Sequence, residues 1–201
     1  MKLYYAPGAC SLSPHIALCE SGLDFEIEKV DLAAKRTESG ADYWQINPKG
    51  SVPALVLDQG EVLTEGPAVV QYIADLAPDS HLAPPAGDLA RYHLMEWLNF
   101  ITAEIHKPFS TLFNRKAPAE CKAMARTAIE QKFDYMDRIL TDRAFVTGAG
   151  FTVADGYLLV MARWAHGLKF DLARWPSLLG WEQRVLQRPK VQDALRAEGL
   201  S

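Results

Sequence analysis

Cysteine is scarce in this sequence: three residues, Cys10, Cys19 and Cys121, fall at no regular spacing in a chain of 201. That excludes a disulfide framework or a paired-cysteine metal site and suits a reducing compartment. Long apolar runs are missing too. The longest, over 157–162, has six residues, against roughly 20 needed to cross a bilayer. The opening Met1-Lys2-Leu3-Tyr4-Tyr5-Ala6-Pro7 carries no apolar stretch of the secretory kind, so a cytoplasmic location is expected. Nor is there a cationic excess: 21 Lys and Arg against 25 Asp and Glu leave a net charge of −4, and nucleic acid is an unexpected partner. His15, His81, His93, His106 and His166 show no ligand spacing with one another or with a cysteine pair, so no metal is expected. What is present, 49% hydrophobic and 23% charged residues, is the composition of a folded, water-soluble globular protein with one large core or two small ones.

The first eighty residues alternate strand-like and helix-like patterns. Lys2-Leu3-Tyr4-Tyr5 is short, aromatic and stopped by Pro7-Gly8, which predicts a buried first strand. Leu12, Ile16, Ala17 and Cys19 recur at helical spacing up to Ser21-Gly22, predicting a helix over 11–20. A second strand is expected over 25–30, then an irregular stretch, then a hairpin of 54–57 and 61–63 around Asp58-Gln59-Gly60, and a closing helix over 67–76. That makes four strands and two helices in residues 1–77. The Pro- and Ala-rich segment near 79–87 breaks every period and reads as a linker. Beyond it, helical periodicity covers 88–114, 119–140, 152–166, 176–187 and 189–198, and the second domain is expected to be all helix.

Cys10 carries the sharpest chemical signal, because it sits just ahead of a helix start, where free N–H groups and the helix dipole favour a thiolate. Against that stands the ordinary tendency of free cysteine to be buried. Cys10-Ser11-Leu12-Ser13 is a C-x-x-S, so a resolving thiol has to come from solution. On these grounds Cys10 is expected to be the most nucleophilic of the three cysteines. Thr64-Glu65-Gly66-Pro67 fits a helix start at which the Gly66 N–H meets an anion and Glu65 a cation. Asn99 and His106, seven residues apart on one expected helix, fall on one face, with Lys107 adjacent and Pro108 bending the axis. Thr152 and Asp155 fit a capping box after Phe151. Gly156 leaves Phe151 without the usual staple partner, a place Tyr157 is expected to take.

These motifs together resemble the cytosolic glutathione transferases, over the length of the chain. Tyr5-Ala6-Pro7-Gly8-Ala9-Cys10-Ser11-Leu12-Ser13, Asn47-Pro48-Lys49-Gly50, Val52-Pro53-Ala54, Leu63-Thr64-Glu65-Gly66 and Glu104-Ile105-His106-Lys107 look like the bacterial beta class. The resemblance implies a thioredoxin-like α/β domain over 1–78 that holds glutathione, a linker over 79–87, and an all-α domain over 88–201 that completes an apolar site, usually in a homodimer. It implies glutathione as co-substrate with no permanently bound cofactor, and a small hydrophobic electrophile or a disulfide as second substrate. Carried over by position, Val52 before a cis-Pro53, Glu65 and Gly66 meet the tripeptide, Lys35 and Lys107 are nearby cations, and Asn99 and His106 reach in from the helical domain. Cys10 and His106 are the expected catalytic residues, and Tyr5, Phe113 and Trp164 the expected apolar lining. Position 66 is often serine in the wider superfamily, so Gly66 removes one hydroxyl donor. Two chemistries are open: Cys10 as hydrogen-bond donor to a glutathione thiolate in a conjugating enzyme, or Cys10 as attacking sulfur in thiol–disulfide exchange, peroxidase or dehalogenase reactions. A non-catalytic binder of apolar ligands or a protein partner is the alternative from another class.

Overall fold

The computed structural model describes residues 1–148 and 150–200. Strand β1 (Lys2–Tyr5) leads through α1 (Leu12–Ser21) to β2 (Glu26–Asp31), which lies parallel to β1 with Lys2 opposite Glu26. The strand pair β4 (Ala54–Val56) and β5 (Val62–Thr64) forms an antiparallel hairpin, and β4 runs antiparallel along the other side of β1. Helix α3 (Gly66–Leu76) closes the unit. The sheet has five strands, not four: the irregular stretch holds β3 (Arg36–Thr37) and the one-turn helix α2 (Tyr43–Ile46), and the spatial order is β3-β2-β1-β4-β5. Elements this short carry no readable period. Antiparallel pairing of Val30 with Thr37 holds β3, and the Asp42 carboxylate caps α2 by accepting from the Trp44 N–H at 3.1 Å.

Beyond α3 the described residues form helices and turns, with one isolated bridge between Phe145 and Gly148. The helices are α4 (Leu89–Phe100), α5 (Lys107–Phe113), α6 (Ala119–Thr141), α7 (Val153–Gly167), α8 (Pro176–Leu186) and α9 (Pro189–Ala197). Among the described residues none is long and apolar enough to cross a membrane. The helix expected over 88–114 is interrupted: Ile101–His106 is a π-helix, in which the Lys107 N–H bonds the Thr102 carbonyl five residues back. Pro108 accounts for it, since it has no N–H to give and its ring crowds the carbonyl one turn earlier. The wider turns change the helical phase, so Asn99 and His106 do not share a face as an unbroken α-helix would require.

Helix α1 is buried along Leu12 to Leu18, as befits a helix enclosed by neighbours. One hydrophobic core runs from Leu3 and Leu55 through Ile16 to Leu158, Phe133 and Trp181, joining the sheet to the helices. At the crossing of α1 with α7 the Ile16 side chain lies 3.4 Å from where a Cβ of Gly156 would stand, so the missing staple residue is the space that α1 occupies. Tyr157 does not take its place. Phe151 packs edge-on against Phe145 at 6.0 Å and under the Arg188 guanidinium at 4.3 Å.

The capping box of α7 is complete and does more than cap. Asp155, fully buried, accepts from the Thr152 N–H (2.9 Å) and hydroxyl (3.1 Å), and with its other oxygen from the Val146 N–H and the Trp181 indole, both at 2.8 Å. Burial pushes this carboxyl up and the four donors pull it down. Asp155→Ala therefore loses a cap, about 0.5–2 kcal/mol, and strands two further buried donors at about 1–3 kcal/mol each. We expect a loss of about 3–5 kcal/mol, lowering Tm by about 6–20 °C in a chain of this size. Calorimetry of the variant checks this, and a shift of about 1 °C contradicts it.

Candidate functional site

The 6–10 loop after β1 is fastened from three directions. The Ser11 hydroxyl accepts from the Ala6 N–H at 3.1 Å and lies 3.3 Å from the Ala6 carbonyl. The Gly8 N–H donates to Glu198 at 2.9 Å, and the Gly8 carbonyl accepts from the Trp164 indole at 2.7 Å. Glu198, buried just past α9, also bonds His15 of α1 at 2.8 Å. Neither Glu198 nor His15 was legible as part of the site, because the Gly8 to Glu198 contact spans 190 residues.

Cys10 closes this loop at the mouth of a cleft of about 770 Å³ between the sheet and the helical half. Its thiol donates to the Val52 carbonyl at 3.2 Å, across the cis peptide between Val52 and Pro53. Burial pushes the thiol up to about 11; the N–H groups of Cys10 and Ser11 pull the other way but lose, and the Glu65 carboxylate adds to the rise. Burial thus works against the thiolate expected at this helix N-terminus, and in the unliganded protein Cys10 is placed as a hydrogen-bond donor to Val52. Burial raises Cys19 to about 11 as well, whereas Cys121 is exposed on α6.

One wall of the cleft is polar. Lys35, at φ 55°, donates to the Gly50 carbonyl at 2.6 Å and lies 5.4 Å from the Trp44 ring. Gly50 has φ +63°, and a Cβ there would come within 2.5 Å of Trp44, so only glycine fits this turn. Ahead of α3, Glu65 adopts φ 67°, ψ 113°, a strained backbone for a residue with a side chain. Its carboxylate meets Lys49 Nζ at 2.5 Å.

The opposite wall is aromatic. His106 Nδ1 lies 2.6 Å from the Tyr157 hydroxyl, and its ring is edge-on to Trp164 at 4.9 Å. Phe113, half-exposed, stands 5.0 Å from Trp164, and Leu32, Ser110 and Asn114 extend the lining. Burial, with a smaller push from Lys107, holds His106 below the ordinary histidine range. Burial raises the Tyr157 hydroxyl, so it stays protonated; where it is the donor to Nδ1, a neutral His106 carries its own proton on Nε2. Tyr157 was overlooked as a site residue, although it lies seven residues before Trp164 on α7 and hence on the same face.

The cleft thus gathers Cys10, Lys35, Val52, His106, Phe113 and Trp164, whereas Glu65 and Gly66, at the start of α3, do not line it, although the Glu65 carboxylate acts on the Cys10 thiol. Three other expected residues lie elsewhere. Tyr5 is buried against His15, at 6.0 Å between ring centres, because the strand's inward face includes it. Asn99 is exposed on α4, turned away by the π-helix. Lys107 is exposed and faces the groove between α5 and α6 beside Cys121 and Met124.

Because Cys10 is neutral below about pH 11, its alkylation by iodoacetamide in the unliganded protein should rise about tenfold per pH unit from pH 7 to 10, following the thiolate fraction. Peptide mass mapping separates the three cysteines, with Cys121 modified first at pH 7. A rate for Cys10 that levels off below pH 8 contradicts the dominance of burial.

Comparison with known proteins agrees with this geometry. Residues 1–75 match the model for the glutathione S-transferase N-terminal domain and residues 97–184 that for the C-terminal domain. The chain is 49% identical to glutathione S-transferase GstA of Escherichia coli O157:H7 over the whole of both chains. It superposes with a TM-score of 0.97 on a bacterial beta class glutathione S-transferase from Sphingomonas chungbukensis, at 47% identity and complete coverage of both. A sphingomonad glutathione S-transferase complexed with glutathione gives 0.97 and 48%, again over both whole chains. A thioredoxin-like half with a cis-proline facing Cys10, an all-helical half carrying His106, and these matches from end to end lead to one assignment: the chain belongs to the glutathione S-transferase family, in its bacterial beta class.

Proposed function

We propose that this glutathione transferase joins glutathione to small apolar electrophiles, with the Cys10 thiol donating a hydrogen bond to the glutathione sulfur as it becomes an anion. The observation that carries the reading is the bond from Cys10 to the Val52 carbonyl, 3.2 Å. An extended peptide lying along Val52 as an added strand presents its own N–H to that carbonyl, and its sulfur falls beside Cys10. The thiol then turns from Val52 to the incoming sulfur. An unperturbed thiol near pKa 8.5 is mostly protonated at neutral pH, and lowering it by two units takes about 2.7 kcal/mol. The Cys10 S–H, the Nε2–H of neutral His106 and the Lys35 ammonium together are of that order. The glutathione thiol gives its proton to bulk water, and the thiolate attacks the electrophile held against Phe113 and Trp164; the sulfur–carbon bond forms, and for an aryl halide the halide leaves with the bonding pair. Glu65 and the Gly66 N–H take the γ-glutamyl end. Thiol–disulfide exchange at Cys10 is slowed by the same burial that keeps it protonated.

The domain division we favour is 1–78, a linker over 79–87, and 88–201. Three unpaired cysteines suit a reducing cytoplasm. Purified protein should bind immobilised glutathione and turn over a chromogenic aryl halide. Retention without any turnover of the halide or of a small disulfide favours a non-catalytic binder instead.

A symmetric homodimer is the assembly we propose. Leu76 on α3 and Leu89, Tyr92 and Met95 on α4 are exposed, and Arg91 ties the two helices together with paired bonds to Asp75 at 2.7 and 2.9 Å. A fixed apolar face of this kind is typical of an isologous interface. Light scattering should give about twice 22.3 kDa, and Leu89→Asp should shift the protein toward the monomer. A wild-type monomer at micromolar concentration contradicts the proposal.

A further inference from the structure

Glutathione ends in an α-amino acid head group, with an ammonium and a carboxylate on one carbon. A site that reads both needs an anion and at least two donors in fixed relation. The start of α3 supplies few donors. Pro67 has no N–H, and the Ala68 and Val69 N–H groups both bond the Glu65 carbonyl at 3.0 Å. Only the Gly66 N–H remains for a ligand carboxylate, and Gly66 has no side chain to add another.

Lys49 stands where the second donor is needed. Its ammonium bonds the Thr64 hydroxyl at 3.0 Å and Glu65 Oε1 at 2.5 Å, directly beside the helix start. The turn beneath it is stiff. Buried Asn47 accepts from the Lys49 N–H at 3.0 Å and donates to the Ser51 carbonyl at 2.6 Å, and Gly50 is confined by Trp44. The pair is otherwise a surface contact, with side chains 54% and 67% exposed, so it adds little to folding. Its members are free to take new partners.

We propose that Lys49 is a specificity residue for the γ-glutamyl end: on binding, its ammonium passes from Glu65 to the ligand's α-carboxylate while Glu65 takes the ligand's α-ammonium. Four charges then alternate in sign beside the start of α3, and the ion pair of the unliganded protein is the preassembled half of that arrangement. This rests on glutathione being the ligand.

Calorimetric titration with two peptides tests it: glutathione, and its analogue lacking the γ-glutamyl α-carboxylate, 4-aminobutyryl-cysteinylglycine. Lys49→Met should weaken glutathione about fivefold and the analogue less than twofold, the size expected for a solvent-exposed charged contact. Lys49→Arg should keep most of the wild-type preference. A Cβ at Gly66 meets nothing within 4 Å, so Gly66→Ser in the Lys49→Met background should restore part of the preference by adding a hydroxyl donor. Unchanged discrimination in Lys49→Met overturns the role of Lys49 while leaving the glutathione reading intact. So does tighter binding, which makes Lys49 a competitor for Glu65. Wild-type protein that binds neither peptide overturns both readings.

Discussion

A single residue, Gly8, joins the chemistry of the sheet to the helical half through the two peptide groups that flank it. Its N–H is taken by Glu198 and its carbonyl by the Trp164 indole, so a loop that begins in the first strand is positioned by the seventh and ninth helices. Each bond is worth about 1 kcal/mol, rising to about 1.5–3 kcal/mol where a charged group takes part. Their larger consequence is geometric: Cys10 cannot shift relative to His106 and Trp164 without breaking one of them. Buried Glu198 is in turn held by His15, and α1 is locked against α7 where Ile16 occupies the space beside Gly156. The two halves share one core because the site requires them in fixed register.

The electrostatics of Cys10 follow from that enclosure. A helix N-terminus contributes a fraction of a kcal/mol up to about 2 kcal/mol toward an anion, whereas burial penalises a thiolate by more, and the thiol ends near 11. A neutral S–H fits a donor better than a nucleophile. A ligand sulfur that arrives beside Cys10 meets the same burial, so an anion there depends on what it gains: the Cys10 S–H as a donor, with Lys35 and His106 also lining the cleft. On the proposed reading the protein's own thiol keeps its proton and the ligand sulfur carries the charge.

The sequence made the family and the fold readable through short, strongly patterned segments: the β-α-β alternation, the hairpin around Gly60, the Thr152 and Asp155 cap. It hid what depends on contacts between distant residues. Strand β3, two residues long and too short to carry a period, is held by its pairing with β2 and a bridge from Arg36 to Asp42. The π-helix was signalled by Pro108, but its effect on phase was missed, and Asn99 was placed on the wrong face. Tyr5 shows the limit of reading a side chain beside a motif, because in a strand the neighbour of a site residue points to the opposite side. Glu198 carried no local signal at all. Tyr157 did, through its seven-residue spacing from Trp164.

The two walls of the cleft differ in how they are built, and that difference bears on what evolves. On the polar wall Gly50, Asn47 and Gly8 are locked by steric fit and by buried hydrogen bonds, so few substitutions leave the tripeptide side unchanged. On the apolar wall Phe113 is half-exposed at the end of α5 and Asn114 follows it, Ser110 is exposed within α5, and Leu32, in the turn after β2, also lines the cleft. Those positions bear little of the core and can vary at small cost in stability. On the proposed reading, glutathione meets the rigid backbone of the polar wall together with the Lys49 and Glu65 side chains, while the second substrate meets side chains at the ends of elements. Fold and thiol chemistry can then stay constant across a family whose second substrates diverge.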